Sequence, residues 1–140
     1  MADRISKSER SFVMSRVSAK NTKPELIVRR MLHAAGFRFR IHNPKLAGNP
    51  DIVLRRYRTI IFVHGCFWHR HPKCRRATVP ASNVGYWSEK FENNVARDKR
   101  VRSQLRRLGW RVIVVWECET TCTDKLLGRL KRALERERPR

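Results

Sequence analysis

Apolar and polar positions change period several times along this chain, and each change marks an element. Leu26, Ile27, Met31, Ala34 and Ala35 recur at helical spacing behind Thr22-Lys23-Pro24-Glu25. There Thr22 fits an N-cap, Pro24 the first turn and Glu25 the capping-box carboxylate. Gly36 supplies a stop, and Phe37–His42 then alternates apolar with polar, the mark of a half-buried strand. Asp51–Leu54 and Thr59–Val63 predict two strands of a hairpin around the basic turn Arg55–Arg58. Ser88–Leu108 reads as a long helix with Phe91, Val95, Leu105 and Leu108 facing inward, ended by Gly109. Arg111–Glu117 is β-branched and apolar enough for a central strand, and Thr123–Glu137 closes the pattern as a leucine-bearing helix. A long helix between the third and fourth strands permits a parallel crossover. The prediction is an α/β fold with a mixed central β-sheet flanked by helices. Residues 1–21 form a basic N-terminal arm in this reading, and residues 22–140 a single domain.

Composition narrows the partner. The chain has 140 residues, of which 41% are hydrophobic, enough for one real core. Lys and Arg number 33 against 12 Asp and Glu, a formal charge of +21. Self-repulsion on that scale is best explained by a polyanionic partner. Nucleic acid is favoured over membrane, because no apolar run approaches the roughly 20 residues that span a bilayer. Without a signal-like apolar start, a cytoplasmic address is expected. The four cysteines then read as metal ligands or free thiols before disulfides.

Three sets of residues carry chemistry. Cys66, His71 and Cys74, with Cys118 after the last strand, offer three thiolates and an imidazole, the donor set of a structural Zn²⁺ site. His69 and Cys122 are competing ligands, and His71 is preferred because it leaves His69 free. Asp51 begins a strand after Pro50, with Glu25 on the first helix and His64 at the end of the neighbouring strand. Such a group can share a Mg²⁺, which polarises a phosphate for in-line attack. Bringing Asp51 and His64 together is expected to need a slipped register or a bend at Asp51, with the Val63 carbonyl also reaching the ion. His69 is the expected acid–base group and Asp98 the holder of its tautomer. Phe67, Trp68, Tyr86 and Trp87 are aromatics in loop surroundings interleaved with cations, suited to wedging between bases. Trp110 and Trp116 are expected in the core. Arg97, Lys99, Arg100, Arg102, Arg106 and Arg107 are expected along the outer face of the long helix, towards phosphates.

These residues fall into runs with a familiar look. Asn21–Glu25, Gly48-Asn49-Pro50-Asp51, Phe62–His69, Tyr86-Trp87, Asn94–Asp98 and Gly109–Val112 resemble, in order and spacing, the very short patch repair endonucleases, which nick DNA at T·G mismatches. The run Gly65-Cys66-Phe67-Trp68-His69 is the most specific of them. The resemblance implies a restriction-endonuclease-like fold with a catalytic Mg²⁺ and a separate structural zinc. It implies Asp51 and the Val63 carbonyl as Mg²⁺ ligands, with Glu25 and His64 acting through bound water or the phosphate, and His69 supported by Asp98. Cys66, His71, Cys74 and Cys118 would hold zinc. Phe67, Trp68 and Trp87, with Met14 from the arm, would enter the base stack. The expected substrate is double-stranded DNA carrying a T·G mismatch, nicked by a monomer on the 5′ side of the T, with repair proteins as further partners. A restriction-like nuclease of other DNA and a non-catalytic zinc-stabilised nucleic-acid binder are the alternatives.

Overall fold

The computed structural model describes residues 21–136. The arm expected over residues 1–21, Met14 included, lies outside the described residues apart from Asn21. In chain order the elements are α1 (Lys23–Ala34), β1 (Arg40–Ile41), β2 (Ile52–Leu54), β3 (Thr59–His64), α2 (Val84–Arg107), β4 (Arg111–Trp116) and α3 (Thr123–Arg136). Short 3₁₀ turns at Arg55–Tyr57 and Glu117–Thr121 follow β2 and β4. The sheet has four strands in the order β1-β2-β3-β4. β1 and β3 flank β2 antiparallel, and β4 joins β3 in parallel after the α2 crossover, so the sheet is mixed.

Alternation along β3 divides the core into two layers, because successive side chains of a strand point to opposite faces. Ile61 and Val63 join Val28 and Leu32 of α1 and Leu126, Leu130 and Leu134 of α3 on one face. Ile60 and Phe62 join Val53 of β2 and Leu105 of α2 on the other. Every residue of β3 is buried, which explains its unbroken apolar run. Each fully buried Leu of α3 contributes roughly 1.5–3 kcal/mol by leaving water, which fastens the last helix to the sheet.

Several local expectations shift. Only Arg40 and Ile41 of the predicted 37–42 strand pair with β2, and His42 leaves the strand in a left-handed conformation (φ 49°). The buried side of α1 is Glu25, Val28 and Leu32, while Leu26 and Ala34 face solvent. The helix is phased to turn a carboxylate inward, which an apolar count could not register. α2 starts at Val84, four residues before the expected Ser88, and absorbs Tyr86 and Trp87 into its first turn. Leu108 is 63% exposed, and Trp110 packs against the α2-side core instead. Trp116 is half-buried, standing between His64 and His71 rather than in the core.

The loop before β2 lies directly on α2. Gly48 has φ +74°, and a Cβ there would stand 2.5 Å from Val101 Cγ1. Gly48→Ala should therefore destabilise the protein by about 1–3 kcal/mol through overpacking and left-handed strain. Gly85→Ala, in open space on α2, should be neutral or stabilising by up to about 1 kcal/mol. Urea unfolding of both variants checks the pair, and equal midpoints would refute the packing argument.

Candidate active site

The same alternation that builds the core opens a cleft. Asp51 shares the parity of Val53, and His64 that of Ile60 and Phe62, so both belong to the α2 side of the sheet. A cavity of about 680 Å³ lies there, lined by Asp51, Phe62, His64, His69, Asp98 and Arg102 among others. No slipped register is needed. Ile52 pairs with Ile61 and Leu54 with Thr59, and an antiparallel pair sets the start of one strand beside the end of the other. Asp51 does sit at a bend, where its Oδ2 accepts the Val63 N–H at 2.7 Å. The contact between these two residues thus runs through the Val63 amide.

Glu25 approaches from the first turn of α1 and is only 1% exposed. Its backbone N–H donates to Thr22 Oγ1 at 3.4 Å, and its own Oε2 reaches back to the Asn21 N–H at 3.1 Å. It therefore caps the helix one residue earlier than a capping box would. Arg29 Nη2 donates to the same Oε2 at 2.8 Å and lies 2.7 Å from His42 Nε2. Donor atoms of Glu25, His42 and Asp51 all fall within 4.8 Å of one another. Burial, reinforced by Glu25 and partly offset by the Val63 N–H, pushes the Asp51 carboxyl up to about 7. Two buried carboxyl groups this close favour a cation between them, and their oxygens suit a hard divalent ion. His42 was not foreseen. Its only signal is its place at the end of the strand that pairs with β2, just beside Asp51's own.

His64 does not join that cluster. It stacks on His69 with ring centroids 3.9 Å apart and planes 6° from parallel. His69 Nδ1 lies 2.6 Å from Asp98 Oδ2, which leaves Nε2 as the nitrogen free to exchange a proton. Burial pushes His64 down to about 3, with His69 adding to the effect, and its buried Nδ1 has no partner. For Asp98, burial pushes upward, but the hydrogen bond and charge of His69 outweigh it and hold the carboxyl below its usual range. A neutral His64 and an ionised Asp98 thus flank a ring that is fixed in orientation and able to hold charge.

Beyond His64 the chain enters the loop that apolar packing alone does not support. Donor atoms of Cys66, His71, Cys74 and Cys118 lie within 4.8 Å of one another. His71 Nδ1 is 3.6 Å from Cys66 Sγ and 3.5 Å from Cys118 Sγ. A tetrahedral zinc with Zn–S of ~2.3 Å and Zn–N of ~2.0 Å requires an S···N edge of about 3.5 Å, so the donors fit that ion. Burial pushes the Cys66 thiol up to about 12 and also raises Cys118, whereas the backbone N–H of Arg76 lowers Cys74. A bound cation would offset the cost of ionising the buried thiols. The competing ligands lie elsewhere: His69 with Asp98, and Cys122 exposed.

Phe67 and Trp68 lie between the two loop donors Cys66 and His71. Both are half-buried and packed on Trp87 at 5.6 and 6.0 Å. Trp87 is 2% exposed against Phe91, so it forms the floor of the aromatic group in this conformation. Arg70 fastens the loop: its guanidinium lies 4.1 Å over the Phe91 ring and donates to the carbonyls of Phe67, Ala77 and Thr78. Asn94 Nδ2 donates to the Trp68 carbonyl at 3.1 Å.

Known proteins share this sequence widely. Residues 2–76, more than half of the chain, match the family described as DNA mismatch endonuclease Vsr. The type II nicking enzyme V.XorIIP of Xanthomonas oryzae pv. oryzae is 48% identical over 135 residues, covering 96% of this chain and 98% of its own. The type II nicking enzyme V.NmeAIP of Neisseria meningitidis serogroup A is 43% identical over 139 residues, covering 96% of this chain and 98% of its own. DNA mismatch endonuclease Vsr of Escherichia coli K12 is 43% identical over 126 residues, covering 90% and 80%. These matches make the chain a nuclease, an enzyme that acts on DNA. The chain belongs to the Vsr family of DNA mismatch endonucleases. The non-catalytic binder is thereby set aside. No helix among the described residues is long and apolar enough to cross a membrane.

The two perturbed groups of the cleft act on stability with opposite signs. His64, lowered from 6.5 to about 3, contributes stability above pH 6.5 that is lost as pH falls towards 3. Asp51, raised from 3.8 to about 7, makes metal-free protein lose stability as pH rises from about 4 to 7. In chelator, Asp51→Asn should remove the second slope, so its stability rises with pH between about 4 and 6.5 while the parent stays flatter. Thermal midpoints across that range test this, and parallel curves would contradict it.

Proposed function

We propose that the protein nicks one strand of a duplex on the 5′ side of the T in a T·G mismatch, as a monomer, with Mg²⁺ in the cleft and a structural Zn²⁺ under the loop. The observation that carries this reading is the convergence of the Asp51 cluster and the His69–Asp98 pair on one cleft, directly continuous with the Phe67-Trp68 segment. Asp51 would hold the divalent ion, with Glu25 and the Val63 carbonyl beside it. Cys66, His71, Cys74 and Cys118 would hold zinc. The divalent ion would supply Lewis-acid polarisation of the scissile phosphate.

The chain's own residues supply the rest. His69, aimed by Asp98, accepts a proton from the attacking water through Nε2. The new oxygen–phosphorus bond forms as the bond to the 3′ oxygen breaks, and that oxygen takes a proton from solvent water, leaving a 3′ hydroxyl and a 5′ phosphate. His64 stays neutral and braces the imidazole that becomes charged. Phe67 and Trp68 are half-buried where Trp87 is fully buried, so they would enter the stack while Trp87 supports them from beneath. A mismatch is already weakly stacked, which lowers the cost of that insertion and gives selectivity. A single cleft suits a cut in one strand, and the nick would pass to repair proteins.

Strand-resolved cleavage of labelled duplexes carrying T·G, T·A or C·G at one position tests the reading. A Mg²⁺-dependent nick confined to the T strand of the mismatched duplex is expected, falling at least about 10³-fold in Asp51→Ala. Cutting of matched duplexes would favour a restriction-like nuclease instead. Cys66→Ser should lower the zinc-to-protein ratio measured by elemental analysis and lower thermal stability. An unchanged ratio would end the zinc assignment.

A further inference from the structure

The inner face of α2 carries Asp98 and Arg102 one turn apart, at the i, i+4 spacing at which such residues ordinarily pair with each other. They do not. Asp98 is committed to His69 at 2.6 Å, and among the described residues Arg102 makes no hydrogen bond or ion pair. Yet Arg102 is half-buried rather than spread on the outer face where the charge pattern put it, and it lines the cleft together with Asp51, His64 and His69. The helix backbone that carries it is held against the loop: neighbouring Val101 is pressed against Gly48, three residues before Asp51, with no room for a Cβ between them. Its charge reaches the reactive end of the cleft, since it helps to hold His64 neutral. A half-buried guanidinium with no carboxylate bonded to it among the described residues lacks an anion, and its planar fork matches two oxygens of a phosphate.

We propose that Arg102 is a catalytic residue: its guanidinium binds the non-bridging oxygens of the scissile phosphate and stabilises the charge that builds there as the bond to the 3′ oxygen breaks. Exposed Arg97, also on the cleft rim, would steer the backbone inward. This rests on the reading of the cleft as the cutting site. An unpaired half-buried cation costs stability, so its retention is explained by function and not by the fold.

The test compares Arg102→Met, Arg102→Lys, Asp51→Ala and, as an exposed control on α3, Lys131→Met. Single-turnover nicking of the T·G duplex should fall about 10²-fold or more in Arg102→Met and less in Arg102→Lys, which keeps the charge without the fork. Binding to the same duplex in chelator should weaken only about threefold in Arg102→Met, while Lys131→Met keeps a normal rate. The thermal midpoint of Arg102→Met should be unchanged or raised. A normal rate in Arg102→Met beside a dead Asp51→Ala would overturn the role of Arg102 alone, whereas an active Asp51→Ala would overturn the cleft reading itself. A lowered midpoint, or equal losses of binding and rate, would make Arg102 a structural or general DNA contact and overturn the proposal.

Discussion

Because β3 runs antiparallel to β2 and parallel to β4, the start of β2, the end of β3 and the end of β4 meet at one end of the sheet. Asp51, His64 with Cys66, and Cys118 occupy those three ends. Reversing any one strand would carry its reactive residue to the far end of the molecule. The mixed topology is what lets so short a chain assemble two metal-type donor clusters and an imidazole–carboxylate pair side by side. β3 can serve as the common axis because both of its faces are covered, one by α1 and α3 and the other by α2.

Within that frame, electrostatics sorts the groups. Six titratable side chains around the cleft, Glu25, His42, Asp51, His64, His69 and Asp98, could in principle pair in several ways, and burial helps to decide among them. Glu25 is satisfied by Arg29 and the Asn21 amide, Asp98 by His69, and Asp51 by the Val63 amide and the neighbouring Glu25 carboxyl, with no cation bonded to it among the described residues. The residue left short of compensation among the acids is Asp51, and among the cations Arg102. A scissile phosphate with a divalent ion carries both of the missing charges. Trp116 separates this region from the cysteine cluster, stacked on His71 at 4.2 Å and edge-on to His64 at 5.4 Å. The two sites share a wall and keep separate donor sets.

Much of this was legible in the sequence, and the reasons differ by element. β3 and β4 announce themselves as apolar β-branched runs, and the intervening helix permits their parallel pairing, which would bring Cys66 to Cys118. Spacing groups the thiols and imidazoles but leaves His69 and Cys122 as competing ligands. The phase of α1 could not, because its inward position is held by Glu25, a polar residue placed there by contacts from outside the helix. β1 was overextended because Phe37 and Phe39 pack on the core without pairing. His42 and Arg102 were passed over or put on the wrong surface, since a polar residue in a cleft leaves the same mark on a sequence as one in solvent. Grouping His64 with Asp51 followed from their shared end of the hairpin. Stacking on His69 comes from the loop folding back, which no local pattern encodes.

α2 has a consequence that its contacts do not state individually. Trp87 in its first turn supports the aromatic loop, and Asp98, eleven residues later, holds the imidazole of His69. The intervening rise is roughly 16 Å of continuous helix. No hinge interrupts it, and it is braced along the way by Arg70 on Phe91, Asn94 on Trp68 and Gly48 on Val101. Such a rod is a gauge: if the aromatic loop grasps the duplex and the imidazole cuts it, as proposed, the interval between the two becomes a property of the scaffold, set by bond lengths and independent of the sequence that happens to surround the lesion.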